Sequence, residues 1–174
     1  MRIPSQPSPK LQNQGFTFLE LMVTILIIAI LASTLSIGIT ALKDRANRVA
    51  CMGNLRTLHQ AFASYTSEKG YWPQEPEDLG SEGYEFYGWL IGEVSPYGGG
   101  RNAWICPKEK QERALSITDE EFVGSYVPTM FGPVEGRPWE WNQPWLIERG
   151  NLHRSGALYI MPDGSIQTTR EPIY

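Results

Sequence analysis

Between Phe16 and Ile39 the chain reads FTFLELMVTILIIAILASTLSIGI, an apolar run broken by one charge, Glu20. Twenty-four such residues at ~1.5 Å each make a helix of about 36 Å, enough to cross a hydrocarbon core of ~30 Å with modest tilt. A secretory signal peptide has a shorter apolar region, ~7 to 15 residues, and a small-residue cleavage site beyond it. Neither feature fits here, so the run reads as a membrane span.

The pattern then changes period. Cys51, Leu55, Leu58, Phe62 and Tyr65 recur at steps of 4, 3, 4 and 3, which places them on one face of a helix. No proline occurs between Pro9 and Pro73, so one helix is predicted from Phe16 to about Glu68. Gly38 and Gly53 each cost it about 1 kcal/mol relative to Ala, and read as places for bending or local melting, or for close packing alone. Lys69-Gly70, followed by Pro73, is a stop signal. Near the other end, Ala157 to Met161 is a short apolar strand, Pro162-Asp163-Gly164-Ser165 has turn chemistry, and the chain to Thr169 alternates like a return strand.

Composition sharpens this division. All 6 Trp, 14 of 17 Gly and 10 of 13 Pro of the 174-residue chain lie at or beyond Gly70. The expected class is therefore α+β: a long N-terminal helix packed on a small, loop-rich head with an antiparallel sheet. From Gly70 onward there are 16 acids against 8 bases, whereas residues 40 to 69 carry a net charge of +3. An acidic head argues against a nucleic-acid partner.

Ahead of the apolar run, MRIPSQPSPKLQNQG is polar, carries Arg2 and Lys10 without an acid, and holds three prolines. The junction Gly15-Phe16-Thr17-Phe18-Leu19-Glu20 resembles the signature of type IV prepilins and type II secretion pseudopilins. The resemblance implies that prepilin peptidase cuts between Gly15 and Phe16 and methylates the new amino terminus of Phe16. It also implies that Glu20 neutralises that amine, in its own or a neighbouring subunit, as helices pack into a filament. A carboxylate within a membrane helix costs on the order of 2.5 to 3.5 kcal/mol, so Glu20 is a functional candidate on physical grounds as well.

Further stretches resemble a bacterial subgroup of pilin-like proteins. These are Cys51-Met52-Gly53-Asn54-Leu55-Arg56, the exit Gly70-Tyr71-Trp72-Pro73, Trp104-Ile105-Cys106-Pro107, Gly124-Ser125-Tyr126-Val127, and His153 followed after nine residues by Asp163-Gly164. That last spacing is the subgroup's H-x9-DG pattern. Pro162, where a small residue is usual, and a Trp- and Pro-rich insert between Phe131 and Trp145 depart from it.

The implied organisation is a leader (1–15), a transmembrane and assembly helix (16–39), its amphipathic continuation (40–69) and a head (70–174). Lys43, Arg45 and Arg48 after the span outnumber the two leader bases and would by themselves place the head in the cytoplasm. The prepilin leader, as a specific address, overrides that bias and puts the head on the outer side of the inner membrane. The implied partners are prepilin peptidase, other pilin or pseudopilin subunits and the assembly machinery.

In an oxidising compartment Cys51 and Cys106 are expected to pair, tying helix to head by roughly 4 kcal/mol in the chain-entropy model. Two free buried thiols, or metal ligation, are the alternatives, the latter disfavoured because no second Cys or His stands at ligand spacing. Asp163 and Gly164 are turn-makers, with His153 bonding to backbone or packing under the turn, and His59 reads as a surface or helix-packing residue rather than a ligand. No cofactor is expected. The acidic loop Glu75, Glu77, Asp78, Glu82, Glu85 offers oxygens of the kind calcium takes but lacks EF-hand spacing, so calcium stays open. Pro138-Trp139-Glu140-Trp141-Asn142-Gln143-Pro144-Trp145 is either a buried flap, the preferred reading, or an exposed contact for another subunit or a carbohydrate. No nucleophile elbow, P-loop or His-Glu-x-x-His is present. The expected role is a structural subunit of a secretion or pilus-like filament, the rivals being an adhesion or uptake module and a membrane-anchored enzyme.

Overall fold

The computed structural model describes residues 15–77, 79, 83–113, 121–132, 136–150, 152–153 and 156–169, with side chains left undescribed at 34–38, 111–113 and 138. The leader before Gly15 lies outside these residues. The chain separates into two compact units, one up to Ala41 and one from Leu42 onward.

Helix α1 spans Phe18–Lys69, and the positions of both Gly38 and Gly53 lie within it. In the first unit its large apolar side chains are exposed on every side, from Phe18 and Leu19 through Leu26 and Ile28 to Leu31. The few hydroxyls in this stretch are answered by the helix itself: Thr24 Oγ1 donates to the Leu21 carbonyl and Ser33 Oγ to that of Ile30, both at 2.8 Å. These two hydroxyls therefore need no water. Among the described residues no helix is long and apolar enough to cross a membrane. The described apolar side chains from Phe18 reach Ser33, about 24 Å of helix, and the sequence carries the pattern on through 34–38 to Ile39.

In the second unit the predicted stripe forms the floor of the core. Cys51, Leu55, Leu58 and Phe62 are fully buried and Tyr65 nearly so. Each such side chain stabilises by roughly 1.5 to 3 kcal/mol. The helix ends at Gly70, whose φ of 78° is left-handed and whose N–H bonds the Thr66 carbonyl at 2.9 Å. The exit turn drives Trp72 back beneath the helix, where it stacks on Phe62 at 4.8 Å and meets Phe131 and Trp145 edge-on.

The head adds α2 (Tyr84–Val94), α3 (Pro107–Arg113) and a four-stranded antiparallel meander: β1 (Tyr126–Pro128), β2 (Leu146–Glu148), β3 (Ala157–Ile160) and β4 (Ile166–Thr169). The expected hairpin is β3–β4, with Ala157 opposite Thr169 and Ile160 opposite Ile166. Its turn closes through Met161 N–H to Ser165 O, and Asp163 Oδ1 accepts from Ser165 N–H at 2.8 Å. The α+β class read from the sequence therefore holds. Helices α2 and α3 and strand β2 were not foreseen: a three-residue strand just after a Trp- and Pro-rich insert has no period to reveal it, and α2 follows a loop that holds Gly80 and Gly83.

The Trp-rich segment divides. Trp139 and Trp145 are buried, as the flap reading requires, while Trp141 points outward with 54% of its surface exposed.

One glycine shows how tightly the core is closed. A Cβ on Gly124 would lie 2.6 Å from Tyr87 Cε1 and 3.2 Å from Trp104 Cε3. Gly124→Ala is therefore expected to lower the unfolding free energy of the head by ~1 to 3 kcal/mol through overpacking. Denaturant titration of the full chain in detergent, followed by tryptophan fluorescence, measures it.

Candidate functional site

Two places carry the residues singled out in the sequence, one in each unit.

The first is the start of α1. Gly15 and Phe16 lie ahead of the helix in non-helical backbone, both exposed, so the peptide bond between them is open to a protease. Thr17 and Glu20 form reciprocal contacts across the first turn: Glu20 N–H donates to Thr17 Oγ1 at 3.3 Å, and Thr17 N–H to Glu20 Oε2 at 3.4 Å. This is a capping box, which satisfies two backbone donors that a helix start otherwise leaves open. It went unread in the sequence although Thr-x-x-Glu is its pattern. Glu20 thus has a local structural task in the uncut chain.

The second place is the junction of α1 with the sheet. Cys51 and Cys106 form a disulfide with a Cα–Cα distance of 5.1 Å, as the pairing expectation required. One turn along α1, Asn54 Nδ2 donates to the Ile105 carbonyl at 2.7 Å, a second tie between the same two segments. Ser125 Oγ accepts from Cys106 N–H at 2.8 Å, Ser125 N–H donates to Trp104 O at 2.7 Å, and Tyr126 Oη donates to Cys51 O at 3.3 Å. Four sequence fragments read separately, Cys51 to Asn54, Trp104 to Cys106, Ser125-Tyr126 and His153, thereby meet around one sulfur bridge.

His153 does not pack under the hairpin turn. Its Nε2 lies 3.7 Å from Cys106 Sγ and 3.2 Å from Glu148 Oε1, with both side chains almost wholly buried. Glu148 comes from β2 and was missed in the sequence, where nothing marks a lone Glu in a short strand as inward. Leu158 N–H donates to its Oε2 at 3.1 Å, while Oε1 makes no hydrogen bond and has only the misdirected approach to His153. Both contacts of the imidazole fall on the same nitrogen, so it cannot pass a proton from sulfur to carboxylate. The sulfur is also locked in the disulfide, and the group is not arranged for nucleophilic catalysis.

The turn is met instead by His59, whose Nε2 is 2.9 Å from Pro162 O and whose ring stacks on Trp145 at 4.5 Å. Asp163 and Gly164 shape the turn, Gly164 with φ of 79°. The Ser165 hydroxyl first, and then its backbone N–H, hold the pKa of the Asp163 carboxyl below its ordinary value. Beside the turn runs an open groove of about 510 Å³ lined by Thr66, Gly70, Arg137, Trp139, Trp145 and Asp163. Of the acidic loop, Asp78 and Glu82 lie outside the described residues. The group within ligand reach among the described residues is Cys51, Cys106, Glu148 and His153.

Residues 10–36 match the family described as the prokaryotic N-terminal methylation motif. No curated protein and no solved structure matches the chain. The matched residues include the Gly15–Phe16 junction and Glu20.

The buried pair makes its own prediction. His153→Ala leaves the Glu148 carboxylate sealed from water without its neighbour, and should cost roughly 3 kcal/mol of unfolding free energy. Replacing His153 and Glu148 together by Ala should cost less than His153→Ala and Glu148→Ala added, and denaturant unfolding of the wild type, both single variants and the double variant measures the coupling.

A second prediction concerns alkali. Burial first, then the carboxylates of Glu148 and Glu109, push the Tyr126 phenol well above the ordinary 10.0. The unfolded chain ionises Tyr126 near pH 10 and the folded one does not, so the unfolded state binds fewer protons there and stability falls as pH rises past that value. Tyr126→Phe should flatten this alkaline loss, measured as the slope of unfolding free energy between pH 9 and about 11.

Proposed function

We propose that this chain is a pilin-like structural subunit, a pseudopilin or minor pilin, held in the inner membrane by residues 16–39 with its head on the outer side, and assembled into a secretion or pilus-like filament after prepilin peptidase acts. The observation that carries the reading is the methylation-motif match over residues 10–36, joined to a Gly15–Phe16 bond that is exposed and outside the helix. The apolar surface of α1 before Ala41 supports it, because exposed Leu, Ile and Phe on every side need lipid or neighbouring helices. The H-x9-DG subgroup is supported by the meeting of its fragments at the disulfide and by the role of Asp163-Gly164 in the β3–β4 turn.

The mechanism is mechanical. Cleavage after Gly15 frees the Phe16 amine close to Glu20, and methylation keeps it basic. In the filament Glu20 pairs with that amine, its own or a neighbour's, and the match sets the stagger between helices. A helix slipped by one turn leaves a carboxylate facing hydrocarbon, at a cost of a few kcal/mol.

An adhesion or uptake module built on the Trp-rich insert is the weaker reading, since Trp139 and Trp145 are spent on the core and Trp141 alone faces outward. For an enzyme, the buried Cys106, Glu148 and His153 group offers no reactive geometry.

Mass spectrometry of the mature chain should find N-methylated Phe16 at the amino terminus. Glu20→Val should be cleaved normally and yet fail to enter filaments, scored by shear fractionation. An intact leader in wild-type cells would overturn the processing, and normal incorporation of the variant would overturn the role given to the carboxylate.

A further inference from the structure

Around the Cys51–Cys106 bridge stand an imidazole and a carboxylate that a disulfide does not need. Cys51, Cys106 and Glu148 are fully buried and His153 is 4% exposed. One ligand atom from each lies within 4.8 Å of the other three. The His153 Nε2 to Glu148 Oε1 distance is 3.2 Å, and His153 Nε2 to Cys106 Sγ is 3.7 Å. In a tetrahedron with Zn–S of ~2.3 Å and Zn–N and Zn–O of ~2.0 to 2.1 Å, the N···O and N···S edges are about 3.3 and 3.6 Å. Two of the six edges of a zinc tetrahedron, both from His153 Nε2, are therefore already in place. Glu148 is oriented for the task, with Oε2 held by Leu158 N–H and Oε1 left without a hydrogen bond. Ser125 Oγ fixes the Cys106 backbone in the same way. Such outer contacts hold ligands in place for a metal.

We propose that this pocket has two closed states: the disulfide, and, when the disulfide is open, a structural Zn²⁺ site formed by Cys51 Sγ, Cys106 Sγ, His153 Nε2 and Glu148 Oε1. Two thiolates with an imidazole and a carboxylate suit zinc, and complete burial leaves no fourth position for water, the mark of a structural rather than a catalytic centre. Opening the bridge takes two electrons and two protons from an external dithiol. As the Cys51–Cys106 S–S bond breaks and two S–H bonds form, the dithiol loses its two S–H bonds and gains its own S–S bond. Zn²⁺ then replaces both thiol protons, which pass to solvent, and bonds to the two sulfurs, Nε2 and Oε1. The sulfurs separate to about 3.8 Å, and α1 stays tied to the sheet in either redox state.

The full chain in detergent, reduced with excess dithiol and desalted without oxygen, is titrated with Co²⁺ and then Zn²⁺. One Co²⁺ per chain should bind with the visible bands of a tetrahedral ion and a thiolate-to-cobalt transition, Zn²⁺ should displace it, and the oxidised chain should give neither band. Glu148→Gln and His153→Asn should each weaken Co²⁺ binding by at least ~10-fold. A readout that needs no variant is alkylation: Zn²⁺ should protect both thiols of the reduced wild-type chain. Absent bands, bands indifferent to both variants, or an alkylation rate unchanged by Zn²⁺ would each overturn the site. If either variant fails to fold, the alkylation result decides.

Discussion

The bond between Cys51 and Cys106 is the constraint on which the head depends. It joins the middle of α1 to the loop before α3, across a sequence separation of 55 residues. Closing a loop of that length removes roughly 4 kcal/mol of conformational freedom from the unfolded chain in the entropy model. The same junction is tied again by Asn54 to Ile105 and by Tyr126 to the Cys51 carbonyl. Because strand β1 begins at Tyr126, fixing this point fixes the edge of the meander, and the register of β2 and β3 follows from pairing. A domain with this much irregular loop has limited apolar core, which is where covalent reinforcement counts most.

A second anchor works at the other edge of the sheet. His59 on α1 reaches the Pro162 carbonyl in the β3–β4 turn, and Arg48 reaches Thr168 on β4 at 2.8 Å. His59 and Cys51 stand eight residues apart, so they project about 80° from each other around α1 and reach different parts of the sheet. The helix thus grips the sheet at two levels, and Phe62, Trp72 and Trp145 fill the space beside the upper grip. The division of the Trp-rich insert follows: Trp145 faces inward to stack on His59, its indole N–H donates to the Trp139 carbonyl, and Trp141 is left on the outer side.

Long-period features were legible in the sequence and short-range ones less so. The stripe from Cys51 to Tyr65 repeats over four turns of helix and was read residue by residue, as was the Gly70 stop. The hairpin was read because Asp163-Gly164 has a chemistry of its own. Helix α2 lacked a cap signal, and β2 is three residues long, too short to show alternation. At the site, the two cysteines could be paired by compartment and number. His153 was seen and given the wrong neighbour: spacing relates it to the DG turn, but the meander carries it to Glu148, and its nearest partners are set by tertiary register that no one-dimensional pattern encodes. Metal ligation was discounted for the same reason, since ligands drawn from α1, a loop, β2 and the β2–β3 connection have no common spacing.

On the filament reading proposed above, Glu20 would serve a local and an assembled role without conflict. In the uncut chain its carboxylate caps the start of α1 through Thr17. A helix start carries about half a positive charge from its aligned peptide groups. Cleavage after Gly15 would add a full amine two residues ahead of Phe18, where α1 begins. Two positive contributions at one helix end, in a medium without water, are tolerated only with an anion beside them, and a neutral Gln at position 20 could cap the turn but not offset the charge. On the proposed reading, a requirement for a carboxylate, rather than for any acceptor, would arise at the moment of processing, and the position that already caps the helix is the one able to supply it.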